Sequence, residues 1–270
     1  MNESSILKRL GNIGLIPVAI LDTAAHAVPL AQALCKGGID TIEVTLRSDC
    51  ALEGISLIKK QLPDFLVGAG TVLNIEQAEK AVKAGADYIV SPGFSAELVT
   101  WCKQRLISVL PGCTTATEIQ AAVGMGVTMV KFFPASTSGG VEACANLAAP
   151  FDMVKFVPTG GIGLENLSEY VKRDYIHAIG GGWLCSKSDI KAENWEKITE
   201  TAKESVKKLL GFEVVHVGIN TDSKEEAGKI SYALADIFGF TVREGTLVFC
   251  LKILFFHFLS DIRSFIKQID

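Results

Sequence analysis

The first position in this chain that asks for a chemical explanation is a lysine set among apolar neighbours. Lys131 lies in Met-Val-Lys-Phe-Phe-Pro-Ala, residues 129–135. If that run is a strand, its two-residue period puts Met129, Lys131 and Phe133 on one face. Lysine is almost never fully buried without a partner. Desolvation and a neighbouring cation such as Arg47 both favour the neutral amine, the form that attacks a ketone. A second run, Ile-Glu-Val-Thr-Leu-Arg at 42–47, puts Glu43, Thr45 and Arg47 on one face and Ile42, Val44 and Leu46 on the other. Three polar side chains on one face of an apolar strand are costly unless they are paired or used. Two readings stand at this point. One is a structural Lys131–Glu43 ion pair in a polar layer; the other is a set of groups that act on a substrate.

Such groups need a scaffold that gathers strand ends, and the chain has the pattern of one. Short apolar runs alternate with amphipathic stretches of helical length. Strands are expected at Ile16–Leu21, Thr41–Arg47, Leu66–Val72, Tyr88–Ser91, Ser108–Leu110, Met129–Phe133, Lys155–Val157 and Ile176–Ile179. Helices are expected at His26–Lys36, Cys50–Leu62, Ile75–Ala84, Ala96–Arg105, Thr117–Val123, Val141–Ala149, Leu164–Lys172 and Glu193–Leu210. Eight of each point to an α/β fold, a (β/α)8 TIM barrel over residues 1–211. An open doubly wound sheet would bind a nucleotide at a Gly-rich turn after its first strand, but Leu-Asp-Thr-Ala-Ala-His-Ala at 21–27 has no glycine. In a barrel the ends of the strands face the active site. Here they carry Thr71, Pro92-Gly93, Pro111-Gly112, Thr159-Gly160-Gly161 and Gly180-Gly181-Gly182. Glycine-rich ends on strands seven and eight are where barrels commonly hold phosphate through backbone N–H groups, although tight turns also want glycine.

Composition narrows the classes. A formal charge of −4 without clustered Lys and Arg argues against nucleic acid as a partner. Seven cysteines, at 35, 50, 102, 113, 144, 185 and 250, form no C-x-x-C pair. An odd, scattered set fits free thiols in a reducing cytoplasm better than a disulfide framework or a zinc site. No basic segment followed by a long apolar one opens the chain, so a signal peptide is not expected. The most apolar run, Leu247–Leu259, is interrupted by Lys252 and His257. It falls short of the about 20 residues that a membrane span needs.

The segments IEVTLR (42–47), VGAGTVLN (67–74), SPG (91–93), KFFPA (131–135), GG (139–140), PTGGI (158–162) and IGG with WL (179–184, Gly182 between) occur in one order along the chain. In them the chain resembles the 2-keto-3-deoxy-6-phosphogluconate (KDPG) / 4-hydroxy-2-oxoglutarate (KHG) aldolases, a family of class I aldolases. KFFPA and PTGGI together carry most of the specificity. The resemblance implies cleavage of 2-dehydro-3-deoxy-6-phosphogluconate to pyruvate and glyceraldehyde 3-phosphate, of 4-hydroxy-2-oxoglutarate to pyruvate and glyoxylate, or of both. It implies that Lys131 forms the Schiff base and that Glu43 is the general acid/base through a water. Arg47, Thr71 and Thr159 would hold the pyruvate carboxylate and the carbinolamine oxygens. Phe133 would pack on the pyruvate, and Pro92 would shape the pocket. Gly160, Gly161, Gly181 and Gly182 would hold a substrate phosphate. It further implies a homotrimer acting on a small 2-keto acid with no metal and no cofactor. Gly182 departs from the pattern, because the family usually has serine there, and the choice between a phosphorylated aldehyde and glyoxylate stays open. Two alternatives remain: another phosphate-binding barrel, an isomerase or synthase, and a non-catalytic barrel serving as an interaction or regulatory subunit.

After Gly211 the pattern changes. Val214–Ile219 reads as a strand, Lys224–Phe238 as a helix and Phe240–Arg243 as a short strand. Residues 212–245 resemble the start of a glyoxalase-like module, in which a first-strand histidine, here His216, often binds metal. A full module needs βαβββ, and the remaining stretch to Asp270 does not resemble its later strands. Residues 212–270 are therefore expected to form an appendage that binds no metal and packs on the barrel or on a neighbour.

Overall fold

Eight short runs rich in Val, Ile and Leu become parallel strands. They are β1 (Leu15–Ala19), β2 (Thr41–Thr45), β3 (Leu66–Gly70), β4 (Tyr88–Val90), β5 (Ser108–Leu110), β6 (Met129–Phe132), β7 (Lys155–Pro158) and β8 (Ile179–Gly181). The computed structural model describes residues 3–171, 173–211, 223–238, 242–243 and 250–251. Between the strands run α2 (Ala27–Lys36), α3 (Ala51–Gln61), α4 (Ile75–Lys83), α5 (Ala96–Gln104), α6 (Ala116–Gly124), α7 (Gly140–Ala148) and α8 (Leu167–Val171); α9 (Lys187–Lys191) and α10 (Trp195–Leu210) follow β8. Asn74, Ser95 and Thr115 each accept an N–H of the following helix through their side chains, which fixes where three of these helices begin.

The strands pair in the order β5-β4-β3-β2-β1-β8, and β6 pairs with β7 in a separate ladder. Single parallel bridges join the two sets: Gly112 with Lys131 on one side, Thr159 with Gly180 and Phe156 with Ile176 on the other. The order therefore runs round a ring and closes a (β/α)8 barrel. The two places where it closes by bridges, not ladders, flank β6 and β7.

Strand periodicity divides the apolar residues into two cores. Ile42, Val44, Val67, Ala69, Ile89, Val130 and Phe156 pack outward with the helices. Ile16, Leu66, Tyr88, Val90, Leu110, Met129, Val157 and Ala178 form a separate inner cluster, which Ile6 and Leu10 of α1 (Glu3–Ile13) join. Ile16, Leu66, Tyr88 and Met129 stand at or next to the starts of their strands, so α1 covers the N-terminal end of the barrel. His177 donates from Nε2 to the Leu7 carbonyl at 2.8 Å and ties α1 to the chain just before β8. A β carbon on Gly11 would stand 2.3 Å from that ring nitrogen, so the glycine lets the imidazole through.

The structure refines several expected boundaries. Strand eight is Ile179–Gly181, because Ile176 makes only an isolated bridge and residues 177 and 178 belong to no strand. The helix expected from Leu164 begins at Leu167; Asn166 instead turns back to accept the Gly163 N–H. Glu193 has a φ of +53°, outside helical space, and α10 starts two residues later. β2 stops at Thr45, so Arg47 falls in the turn that follows.

Met1–Leu209 and Leu210–Asp270 are two compact units. In the second, α11 (Lys224–Phe238) is described, with β9 (Val242–Arg243) paired antiparallel to β10 (Cys250–Leu251). The strand expected at Val214–Ile219, His216 within it and most of the apolar run 247–259 lie outside the described residues.

Leu10 is wholly buried in the inner cluster. Leu10→Ala is expected to cost about 2–5 kcal/mol, the usual range for removing a buried leucine side chain. Urea unfolding measures it, and a loss below about 0.5 kcal/mol, the range of a surface change, would show that α1 is not part of the core.

Candidate active site

The alternation that sends Ile42 and Val44 outward sends Glu43 into the barrel from the middle of β2. The same period sends Lys131 inward from β6, with Val130 and Phe132 outside. In the ring order β2 and β6 stand four strands apart in either direction, on opposite walls. Their side chains meet across the interior: Lys131 Nζ donates to Glu43 Oε1 at 3.0 Å and to Oε2 at 3.3 Å. Lys131 is 6% exposed and Glu43 3%. The Lys131 backbone is fixed at the β5–β6 closure, where its N–H donates to the Pro111 carbonyl and its carbonyl accepts from Cys113. Phe133, partly exposed, has its ring centroid 5.3 Å from Nζ, within cation–π range.

The other expected residues sit around the strand ends, in three groups. Thr45, the inward neighbour of Glu43, is buried and satisfied by donating to the Ala19 carbonyl at 3.0 Å. Arg47 is exposed and makes no ion pair with any described residue. Thr71 follows β3 with a φ of +57°, a left-handed conformation that costs a β-branched residue about 1–3 kcal/mol; such strain persists only where the surroundings impose it, and it clusters at functional sites. Pro92 follows β4, and its carbonyl oxygen lies 2.1 Å from where a β carbon on Gly112 would be, so that glycine lets the turns after β4 and β5 meet.

Thr159 is buried at the end of β7 and its backbone N–H donates to the Phe132 carbonyl. Ala135 and Ser136 donate to the carbonyls of Thr159 and Gly160, zipping the loop after β6 to the turn after β7. Gly160 and Gly161 have φ of +97° and +72°, which only glycine adopts readily. Gly181 and Gly182 lead from β8 into a 3-10 turn, Gly182–Cys185. The Thr159–Gly180 bridge sets the two glycine segments side by side.

Two contacts here carry no sequence signal. A β carbon on Gly180 would stand 2.3 Å from Thr159 Oγ1, and one on Gly161 would stand 2.2 Å from Ser136 Cβ. In a sequence, a glycine next to a strand end reads only as a turn, so neither neighbour could be named from it.

Other titratable groups nearby do not compete. Burial pushes the Cys113 thiol up to about 12, so it stays protonated and is not a nucleophile at neutral pH. Burial also raises the Tyr88 phenol far above its usual range; its hydroxyl bonds to Thr41 at 3.1 Å and donates to the Ile42 carbonyl at 3.3 Å. His26 faces Glu193 and Trp195, and His177 holds α1, so neither stands with the Lys131–Glu43 pair. Among the described residues no group of three or more His, Cys, Asp or Glu is placed to hold a metal ion. The arrangement is thus one amine in hydrogen-bond contact with one carboxylate, with an aromatic ring near the amine, hydroxyls and a free guanidinium at the strand ends, and a glycine-lined rim.

Comparison with known proteins bears on this geometry. The family model "Aldolase: KDPG and KHG aldolase" matches residues 6–201. A 2-dehydro-3-deoxy-phosphogluconate aldolase of Treponema pallidum is 43% identical over 202 residues, 75% of this chain and 96% of the relative. The KHG/KDPG aldolase of Escherichia coli K12 is 40% identical over 192 residues, 71% of this chain and 90% of the relative. The crystal structure of a KDPG aldolase from Legionella pneumophila, with pyruvate captured at low pH as a covalent carbinolamine intermediate, superposes with a TM-score of 0.69 at 38% identity, covering 72% of this chain and 96% of the other.

Proposed function

The chain belongs to the KDPG and KHG aldolase family, and from that premise we propose which of its residues do the work of a class I aldolase. The carrying observation is the pair at 3.0 Å: a primary amine and a carboxylate, both cut off from bulk water, on opposite walls of one barrel. The enzyme is a carbon–carbon lyase acting on a small 2-keto acid. Glu43 takes the proton from the Lys131 ammonium and leaves a neutral amine. The amine adds to the C2 ketone of the substrate, and loss of water gives an iminium. That cation is an electron sink, so the C3–C4 bond breaks to an enamine, not to a free carbanion. Glu43 relays the protons for dehydration, for the C4 hydroxyl and for protonation of the enamine. The iminium does the polarising that a Lewis acid would otherwise do, so the chemistry calls for no metal or other cofactor.

Arg47, exposed and in no ion pair with a described residue, holds the pyruvate carboxylate in a bidentate fork. Thr71 and Thr159 supply hydroxyls to the carboxylate and the carbinolamine oxygen. Phe133 packs on the pyruvate, and Pro92 shapes the wall opposite. The backbone donors of Gly160, Gly161, Gly181 and Gly182 hold the phosphate of a phosphorylated substrate. A desolvated lysine paired in this way, within this family, favours a Schiff-base lyase over an isomerase, a synthase or a non-catalytic barrel.

Residues 1–211 form the aldolase barrel in this reading, and residues 212–270 are an appendage that supplies none of these groups. No helix of the described residues is long and apolar enough to cross a membrane. Cys35, Cys50, Cys113, Cys144 and Cys185 are free thiols, which supports work in a reducing cytoplasm. The homotrimer rests on the family resemblance alone.

Pyruvate with borohydride is expected to inactivate the enzyme and leave one covalent adduct, on Lys131 by peptide mass mapping. Lys131→Ala is expected to lose both activity and trapping. An adduct on another lysine, or an active Lys131→Ala, would contradict the assignment.

The aldehyde turns on Gly182. Its backbone lies outside the left-handed region, and a β carbon would meet nothing closer than the Val18 carbonyl at 3.7 Å, so a serine fits. A hydrogen bond to a charged group contributes about 1.5–3 kcal/mol, or roughly one to two orders of magnitude in affinity. Without a hydroxyl there, 4-hydroxy-2-oxoglutarate competes well with the phosphorylated substrate. Gly182→Ser is expected to lower KM for 2-dehydro-3-deoxy-6-phosphogluconate about tenfold or more and to leave 4-hydroxy-2-oxoglutarate cleavage nearly unchanged. Equal effects on both would take Gly182 out of the phosphate site.

A further inference from the structure

We infer that Gly70 is the positioning residue of Glu43: the carboxylate lies in the space that a side chain on Gly70 would fill. Gly70 is the last residue of β3, buried and paired with Thr45 of β2. A β carbon there would stand 2.2 Å from Glu43 Oε1, 2.6 Å from Cγ and 2.7 Å from Cδ. No real β carbon tolerates such contacts, and Glu43 has little freedom to yield, because it is buried and anchored on Lys131.

The backbone conformation does not explain a glycine at this position. Its φ is not positive, so the backbone alone would accept any residue. A glycine inside a buried strand costs backbone entropy and forgoes packing, and it usually marks a place where another group must come close. The inward face of β3 reads Leu66, Gly68, Gly70, and both glycines are occupied by a neighbour's side chain. Gly68 admits the Tyr88 ring, with a β carbon 2.2 Å from it. Gly70 admits the carboxylate. After Leu66 β3 thus gives up its inward side chains toward the site, and the niche at its end fixes how far Glu43 reaches toward β6.

The inference rests on the reading of Glu43 as the proton relay, and a kinetic cycle separates the two. The variants are Gly70→Ala, Glu43→Asp and their combination, in the full chain. Gly70→Ala is expected to lower kcat at least tenfold with KM changed less than threefold, and borohydride with pyruvate should still label Lys131. Aspartate keeps the Cγ, which stays 2.6 Å from the added carbon, but it loses the oxygen at 2.2 Å and so relieves the worst of the overlap. Glu43→Asp should therefore reduce kcat at least fivefold less in the Gly70→Ala background than in the parent enzyme. Effects that simply multiply, or a Gly70→Ala enzyme with kcat within twofold of the parent, would overturn the positioning role. Full activity in Glu43→Asp and Glu43→Ala would instead remove Glu43 from the mechanism, and with it the catalytic meaning of the niche. If Gly70→Ala does not fold, thermal melting decides: Gly70→Ala/Glu43→Ala should fold and melt close to Glu43→Ala, which carries the same unpaired Lys131, because the overlap is with the Glu43 side chain. A double variant no more stable than Gly70→Ala would show that the backbone, not Glu43, requires the glycine.

Discussion

The structure turns on a lysine and a glutamate that reach each other across the inside of a barrel. Taking each charge out of water costs several kcal/mol, and only close pairing with good geometry offsets that cost. The pair therefore sets conditions on everything around it. The walls that carry β2 and β6 must stand at the distance that puts Nζ 3.0 Å from Oε1. Water must be kept from the other end, and the inner cluster capped by α1 does this. No third charge can share the layer. Tyr88 meets that condition by staying protonated, with Thr41 and the Ile42 carbonyl satisfying its hydroxyl. A stable pair is also a poised one. One proton moved from nitrogen to oxygen turns two buried charges into a neutral nucleophile and a neutral acid, the states that open and close a Schiff-base cycle.

Small residues make the polar layer possible. Several polar side chains held inside the barrel take volume that a neighbouring strand gives up. Gly180 makes room for Thr159, as Gly68 does for Tyr88. The closures beside β6 and β7 follow the same logic. There the ladders give way to isolated bridges, so Lys131 and Thr159 stand beside the least-paired joins of the ring, whereas Glu43 sits in its best-paired part. Stability is supplied elsewhere, by the long ladder from β5 to β8 and by the outer apolar layer.

The pattern of strands and helices was legible because strand and helix periods differ and the buried faces are strongly apolar. Individual ends were less so. The i, i+2, i+4 spacing extended the face of Glu43 and Thr45 to Arg47, whereas the strand ends at Thr45 and Arg47 turns out to solvent-exposed loop. α1 escaped notice because Glu-Ser-Ser-Ile-Leu-Lys-Arg-Leu-Gly-Asn-Ile is short, mostly polar and carries Gly11, which is there for His177 and not for the helix. Lys131 and Glu43 each stood out as polar residues in apolar runs. Their meeting could be offered only as one of two readings, since they are 88 residues apart and nothing local fixes the register that closes a barrel. The glycine niches were not legible at all, because a glycine names the side chain it lacks and not the neighbour that takes its place.

The central claim is that Glu43 moves the protons for chemistry that Lys131 performs. Exchange of the pyruvate methyl protons with deuterium oxide isolates it, since iminium–enamine interconversion needs no aldehyde and no C–C cleavage. The experiment compares the parent enzyme with Glu43→Gln by proton NMR, with borohydride trapping as the check that Lys131 still forms its adduct. The account predicts rapid exchange by the parent enzyme and exchange at least a hundredfold slower, about 2.7 kcal/mol of barrel-held proton transfer, in a Glu43→Gln enzyme that still traps pyruvate. Undiminished exchange in Glu43→Gln would contradict it and hand the proton work to another group.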